Sequence, residues 1–381
     1  MASQAFQWID SPGGLAHLAE ALATASEVAL DTESNAMHAY RERLCLVQIG
    51  VLAPEGQPDA LAVFAIDPLG FASVAAAVAP LVDWMTDPAH RVLLHGGEYD
   101  VSILKRETGH GPARVYDTQA AAAMLGVQKT GYASLVEAEF GVHLGKAYQK
   151  HDWARRPIPE PALRYALDDV HYLPGLVRAI EARVRAADLE EEVAIACQTV
   201  AESRPHAPRP GDQLWRAASG ARLGEAQLGM LAALIAWRET AAEKRDKPAP
   251  MWLPSEVLRN LAAAMPTSSE GLRQAGVPRS IVESFGTSLL AALAGPPGVV
   301  PPRPERVIPD PVIEKREVRL KRWRETEAAA RKVTTQAVLP ARALEYLAAH
   351  PSCDLAEVPQ FGAGRTARYG TALRALVTDR R

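Results

Sequence analysis

Apolar residues in the first 200 positions fall into short continuous runs separated by stretches of helical spacing. Runs at 27–33, 43–51 ("LCLVQIGV"), 61–67 ("LAVFAID"), 91–95 ("RVLLH") and 114–117 ("RVYD") predict strands. Runs without polar alternation suit strands covered on both faces. Helical spacing predicts helices over 12–24, 71–85, 98–108, 118–125, 132–141 and 161–186. Three early strands with short connections, followed by strands alternating with helices, predict a mixed sheet with helices on both faces. Beyond residue 212 the pattern is helical throughout.

Two proline-rich stretches punctuate the chain, "ESRPHAPRPGD" (202–212) and "AGPPGVVPPRPERVIPDP" (294–311). Prolines at this density favour extended, semi-rigid spacers. They divide the chain into a first domain over 1–201 and two helical domains over 213–293 and 312–381. The two helical segments repeat one another. "WRET" recurs at 237–240 and 323–326, an offset of 86 residues, and Leu253-Pro254 recurs as Leu339-Pro340 at the same offset. "SEVLRNLAAAMP" matches "ARALEYLAAHP", and "ESFGTSLLAAL" (283–293) matches "ARYGTALRALV" (367–377) at an offset of 84. Four matches at nearly one offset indicate two copies of one small helical domain. Trp237 and Trp323 occupy matching positions, which suits core packing.

Length and composition are those of a multi-domain globular protein: 381 residues, 48% hydrophobic and 23% charged. The three cysteines are widely spaced and lack metal-ligand spacing, so no disulfide framework is expected. The N-terminal stretch lacks a leader pattern, and the most apolar run (71–82) is too short to span a bilayer. A cytoplasmic monomer with no membrane partner is expected. Charge is unevenly spread. Residues 1–212 hold 17 Lys/Arg against 28 Asp/Glu, whereas 303–381 hold 16 against 10. This fits a metal-binding front and a polyanion-binding rear, or ordinary variation in surface charge.

The acids near strand ends carry the candidate chemistry. Asp31 and Glu33 end an apolar run two residues apart, so an extended strand would project both from one face. Paired acids need protonation, a basic partner or metal ions. Asp100 follows the strand end His95-Gly96-Gly97, in the first turn of a predicted helix where Glu98 also lies; dipole stabilisation alone would explain both. His95 itself reads as a packed or hydrogen-bonded residue. In "ALRYALDDVHYLPGL", Tyr165 and Asp169 are four apart on one helix face, while Asp168 points to solvent.

In this order, Asp-x-Glu, Asp after "HGG", then Tyr-x3-Asp, the chain resembles the ribonuclease D group of the DEDD exonucleases, in its tyrosine subgroup. The likeness extends through "YDTQAAAAML" (116–125) and "GYASLVEAEFGVHLGKAYQKHDW" (131–153), over roughly residues 8–200. The rear copies resemble HRDC domains through "WRETAAEKRDKPAPMWLPSEVLRNLA" (237–262); the second copy lacks "DKP". The histidine subgroup would carry His five residues before the last Asp, where this chain has Arg164.

The resemblance implies an α/β catalytic domain of RNase H-like, proofreading-exonuclease type, followed by two all-α HRDC-like domains. It implies that Asp31, Glu33, Asp100 and Asp169 bind two divalent ions, Mg²⁺ or Mn²⁺, and that Tyr165 positions the attacking water. Hard ions of this kind select carboxylate oxygen. The implied activity is 3′-to-5′ trimming of RNA ends, such as tRNA precursors, releasing nucleoside 5′-monophosphates. Where relatives carry an aromatic after the first-motif glutamate, this chain has Ser34-Asn35, and Met37, His38 or Tyr40 are candidates for the wedge against the terminal base. Lys146, Lys150 and Arg155 are candidate phosphate contacts or merely exposed cations. On the helical copies the candidates are Lys244, Arg245 and Lys247, then Arg365 and Arg368. Trp153 reads as core, and Asp152 as a supporting hydrogen-bond partner. Two other readings remain: the same chemistry on DNA, including single-stranded DNA, and an inactive nucleic-acid-binding scaffold.

Overall fold

The computed structural model describes residues 5–52, 61–205, 211–303 and 310–378. The middles of both proline-rich stretches, 206–210 and 304–309, and the first four residues of the segment read for a leader lie outside the described residues. Among the described residues no helix is long and apolar enough to cross a membrane. The chain divides into two compact units. Described residues of 1–33, 44–205 and 307–381 form one, and those of 34–43 and 206–306 form the other.

The first unit contains a six-stranded sheet. Its strands are β1 (Gln7–Ile9), β2 (Glu27–Ser34, whose last residue is grouped with the other unit), β3 (Leu44–Leu52), β4 (Leu61–Ile66), β5 (Arg91–Leu94) and β6 (Val115–Asp117), in the order β1-β4-β3-β2-β5-β6. β3 and β4 pair antiparallel, whereas β1–β4, β2–β5 and β5–β6 pair parallel, so the sheet is mixed. Five of these strands coincide with the predicted runs within about one residue at each end. β1 was not predicted; three residues with only two apolar side chains carry no readable period.

Helices cover both faces. α1 (Leu15–Leu22), α2 (Val74–Ala77), α3 (Ala79–Met85) and α4 (Glu98–Thr108) enclose one core with Val28, Leu30, Val47 and Ile49. α5 (Thr118–Met124), α6 (Tyr132–Phe140), α7 (Glu160–His171), α8 (Leu173–Ala186) and α9 (Glu190–Ala201) enclose the other with Ala29, Leu46, Ala65 and Leu93. β3 is buried from Leu44 to Val51, which is why its sequence is continuous rather than alternating. Two predicted helices each divide. Segment 71–85 breaks at Val78, and 161–186 breaks at Tyr172, in both cases with a proline in the first turn of the second helix. Proline has no N–H to continue the preceding ladder but fits a first turn. α9 was not predicted, although Glu190, Glu191 and Glu192 in its first turn suit the positive end of a helix dipole.

In the second unit, α10 (Asp212–Ala218), α11 (Glu225–Lys244), α12 (Ala249–Trp252), α13 (Ser255–Ala264), α14 (Ser269–Gln274) and α15 (Arg279–Ala294) surround one core that includes Leu231, Leu258, Leu272 and Leu289. The end of the first unit holds α16 (Pro311–Arg331), α17 (Thr335–Val338), α18 (Ala341–Ala349) and α19 (Gly362–Thr378). The internal repeat is visible in hydrogen bonds. The WRET arginine Arg238 donates from Nη1 to the Leu253 carbonyl at 3.2 Å, and Arg324 donates to the Leu339 carbonyl at 3.1 Å. Both tryptophans pack on an aromatic of the last helix, Trp237 against Phe285 and Trp323 against Tyr369.

The second helical copy is bonded to the sheet-bearing part of its own unit. Glu191 on α9 accepts the backbone N–H groups of Ala363 (2.8 Å) and Gly364 (2.6 Å) in the first turn of α19. Arg368 pairs with Asp188 and Glu192, and Gln360 donates to Thr199 Oγ1 at 3.0 Å. A Cβ at position 364 would meet Glu191 Oε2, so glycine lets the carboxylate come this close without shifting.

Candidate active site

Strand alternation sets the first half of the site. Val28 and Leu30 enter one core and Ala29 the other, so Asp31 and Glu33 continue the Ala29 face and Thr32 the opposite one. On the Ala29 face lies α7, whose Ala162, Ala166 and Val170 are buried at four-residue spacing. Tyr165 and Asp169 form the adjacent row of that helix. The carboxylate oxygens of Asp31, Glu33 and Asp169 accordingly lie within 4.8 Å of one another.

Asp100 approaches from α4. Its buried carboxylate accepts a 2.5 Å hydrogen bond from the Thr32 hydroxyl. It lies outside the tight trio but close enough to raise the proton affinity of each member. The "HGG" turn aims it. Gly96 has φ +63°, in the left-handed region, and a Cβ on Gly97 would meet Leu94 Cδ1 at 2.5 Å. Buried Asp117 accepts the Gly97 N–H at 2.8 Å and caps α5 through the Ala120 N–H. His95 bonds Thr118 Oγ1 at 2.9 Å, and burial lowers its pKa to about 4, so it is a neutral packed residue.

No described cation balances the trio; burial raises all four acids, and neighbouring carboxylates add to it, Asp117 in the case of Asp100. Asp31 is held well above the carboxylate range, Glu33 is raised to about 9, Asp169 to about 7 and Asp100 to about 6, burial being the largest cause in each case. Three carboxylates converging without a cationic partner among the described residues could hold a hard cation, and the residues present fit a divalent ion. Burial and the neighbouring Asp169, Glu33 and Asp31 also raise the Tyr165 phenol, which keeps it protonated.

Beside the acids is a cavity of about 170 Å³ lined by Tyr132, Lys146, Gln149, Tyr165, Asp168 and Asp169, among others. Lys146 therefore reaches the site, whereas Lys150 and Arg155 are exposed and do not line it; Arg155 pairs with Asp152 at 3.3 Å. Trp153 is core, 1% exposed. Asp168, expected in solvent, is half-buried on the cavity wall. In the second unit, Met37 is exposed, and the Tyr40 hydroxyl, proposed as part of a wedge, bonds Glu239 at 3.2 Å. His38 is partly buried. Lys244, Arg245 and Lys247 are exposed at the end of α11, with the Arg245 guanidinium 5.5 Å from the Phe285 ring centroid.

Arg365 requires correction as a nucleic-acid contact. It is 0% exposed, and its guanidinium donates to the carbonyls of Gln336, Ala337, Gln360 and Phe361 at 2.8–3.3 Å. Its side chain ties α19 to α17 and to the turn at Gln360–Phe361, and offers nothing to solvent. Arg368 is held by two carboxylates of its own unit. Arg365→Leu should cost about 3 kcal/mol, because four carbonyls lose a buried charged donor. Equilibrium urea unfolding measures this, and an unchanged midpoint would refute it. Residues that sequence reasoning missed are Thr32, which grips Asp100; Tyr132, whose hydroxyl donates to the Asp168 carbonyl at 3.0 Å; and Gln149.

Known proteins match both the sheet-bearing and the helical parts of the chain. Residues 6–185 match the family model described as 3′-5′ exonuclease, and residues 227–293 match that of the HRDC domain. Ribonuclease D of Gluconacetobacter diazotrophicus is 31% identical over 281 residues, covering 72% of this chain and 68% of that protein. Ribonuclease D of Escherichia coli is 31% identical over 310 residues, covering 81% and 78%. The crystal structure of Escherichia coli RNase D, described as an exoribonuclease involved in structured RNA processing, matches with a TM-score of 0.68 at 26% identity, over 98% of this chain and 99% of that one.

Proposed function

This chain belongs to the ribonuclease D family of 3′-5′ exoribonucleases, and on that premise we propose that Asp31, Glu33, Asp100 and Asp169 hold two divalent ions, Mg²⁺ or Mn²⁺, at which structured RNA 3′ ends such as those of tRNA precursors are trimmed. The convergence of the Asp31, Glu33 and Asp169 oxygens without a cationic partner carries this reading. When bound, such ions supply Lewis acidity at both the attacking and the leaving oxygen of phosphodiester hydrolysis.

The chain's own residues orient the reaction. Thr32 fixes the Asp100 carboxylate by its hydroxyl hydrogen bond to Oδ1. Tyr165 keeps its proton and acts as a hydrogen-bond donor that orients water; a phenol raised above its usual pKa of about 10 is no general base at neutral pH. Lys146 on the cavity wall faces incoming phosphate with positive charge. Water oxygen adds to phosphorus, the bond to the 3′ oxygen breaks, that oxygen takes a proton, and a nucleoside 5′-monophosphate leaves. The exposed Lys244, Arg245 and Lys247 would hold RNA by salt-sensitive contacts.

The test is purified protein with Mn²⁺ or Mg²⁺ and 5′-labelled RNA and DNA. Stepwise shortening from the 3′ end, abolished by chelator, is the expected result. Internal cleavage products, or activity unaffected by chelator, would overturn the mechanism. Equal rates on DNA would remove the preference for ribose.

A further inference from the structure

The last turns of α11 separate charge by face. Two residues turn an α-helix by about 200°, so Glu239 points away from Trp237, whereas Lys244, seven residues on, returns to the Trp237 side. The acidic face is occupied by segment 34–43 of the same unit. Glu239 accepts the Tyr40 hydroxyl at 3.2 Å, Glu243 pairs with Arg41 at 2.6 Å, and Asp246, just past the helix, accepts the Tyr40 N–H at 3.0 Å. These carboxylates are thereby engaged. Lys244, Arg245 and Lys247 are exposed, and none of them is ion-paired among the described residues.

Beside these cations is a cluster of three rings. The Trp252 centroid lies 6.0 Å from that of Trp237 and 5.2 Å from that of Phe285, and the Arg245 guanidinium stands over Phe285. All three rings border the core of their unit and are partly exposed. The second helical copy has no such cluster. Trp252 corresponds to Val338 at the offset of 86 and Phe285 to Tyr369 at the offset of 84, and these are 0% and 3% exposed. Partly open rings beside unpaired cations match single-stranded nucleic acid in both its parts: unpaired bases stack on aromatic faces, and phosphates take the positive charge. In a duplex the base faces are already stacked, and only the phosphates remain to be held.

We propose that Trp237, Trp252 and Phe285 form a stacking platform for unpaired bases of single-stranded RNA, with Lys244, Arg245 and Lys247 holding the flanking phosphates. The inference rests on the reading above that these cations bind RNA, and deepens it. Stacking adds a part of the affinity that salt does not screen, and it selects unpaired RNA over duplex.

The test is equilibrium binding of the full chain, in chelator so that RNA is not consumed, to a labelled single-stranded oligoribonucleotide and to a blunt RNA duplex. Trp252→Leu should weaken single-strand binding about five- to a hundredfold, the effect of losing one base–aromatic stack. It should leave duplex binding and the salt dependence of affinity unchanged, and Trp252→Phe should restore most of the loss. Lys244→Ala should weaken binding of both RNAs and lower the salt slope by about one. Photo-crosslinking of the unaltered protein to single-stranded RNA carrying bromouridine separates stacking from folding, and should join RNA to Trp237, Trp252 or Phe285. Unchanged single-strand affinity in Trp252→Leu, an equal loss on duplex at an unshifted thermal midpoint, or crosslinks that avoid all three rings would each overturn the platform. Unchanged affinity and salt slope in Lys244→Ala would instead overturn the underlying reading of the cations, so the two failures are distinguishable.

Discussion

Asp31→Asn should reduce the exonuclease rate by at least about a thousandfold and raise the melting temperature of the chelator-treated protein. The two effects share one cause. Asp31 stands at the centre of the acids: its carboxylate is within 4.8 Å of Glu33 and Asp169 oxygens and is repelled by Asp100 as well. On the proposed reading, that concentration of charge is what holds the divalent ions. Without ions, the acid must ionise beside other carboxylates or take up a proton, and this raised proton affinity opposes the fold. Asparagine keeps the shape, removes the charge and weakens the grip on hard cations. A loss of rate accompanied by a higher melting point cannot come from unfolding, which makes the pair of measurements more telling than either alone. Retained activity would exclude Asp31 from the site. Lost activity with a lowered melting point would show that Asp31 is a structural acid.

How much of this was legible in the sequence depends on whether local periodicity carried the information. The facing of Asp31 and Glu33 follows from a period of two, and that of Tyr165 and Asp169 from a spacing of four; both pairs lie as read. Thr32 was invisible for the same reason that its neighbours were visible. Alternation turns it to the opposite face, and no local pattern says that Asp100, 68 residues away, waits there. Arg365 was misread because charge was taken to imply exposure. The repeat held the corrective signal: at the offset of 84 found in the last helix, position 365 corresponds to Ile281, an apolar residue 5% exposed. An arginine in a core position of a repeated fold must bond to backbone, and this one does. Gln149 lines the cavity wall, but a single amide in a loop has no sequence signature.

The acid cluster also fixes how stability should vary with pH, with a sign opposite to that of ordinary surface carboxylates. Asp31, Glu33, Asp100 and Asp169 all have folded-state pKa values above those of an unfolded chain, the last three at about 9, 6 and 7. Below about pH 4 both states are protonated and the cluster costs nothing. As pH rises, the unfolded chain releases these protons first and the folded state retains more, so unfolding becomes progressively easier. The metal-free protein should therefore lose stability between about pH 4 and pH 9; Asp100 alone contributes ~3 kcal/mol once fully ionised. Divalent cations should reverse the trend, because they bind the deprotonated acids of the folded state and release protons. Scanning calorimetry of chelated protein at pH 5, 7 and 9, with and without Mn²⁺, measures this directly. The melting point without metal should fall across the series, and the increment from Mn²⁺ should grow. Catalytic rate should climb between pH 6 and 8 for the same reason. A melting point that is flat in pH and indifferent to Mn²⁺ would mean that the four acids are neutralised by something other than divalent cations, and the two-ion reading would fall with it.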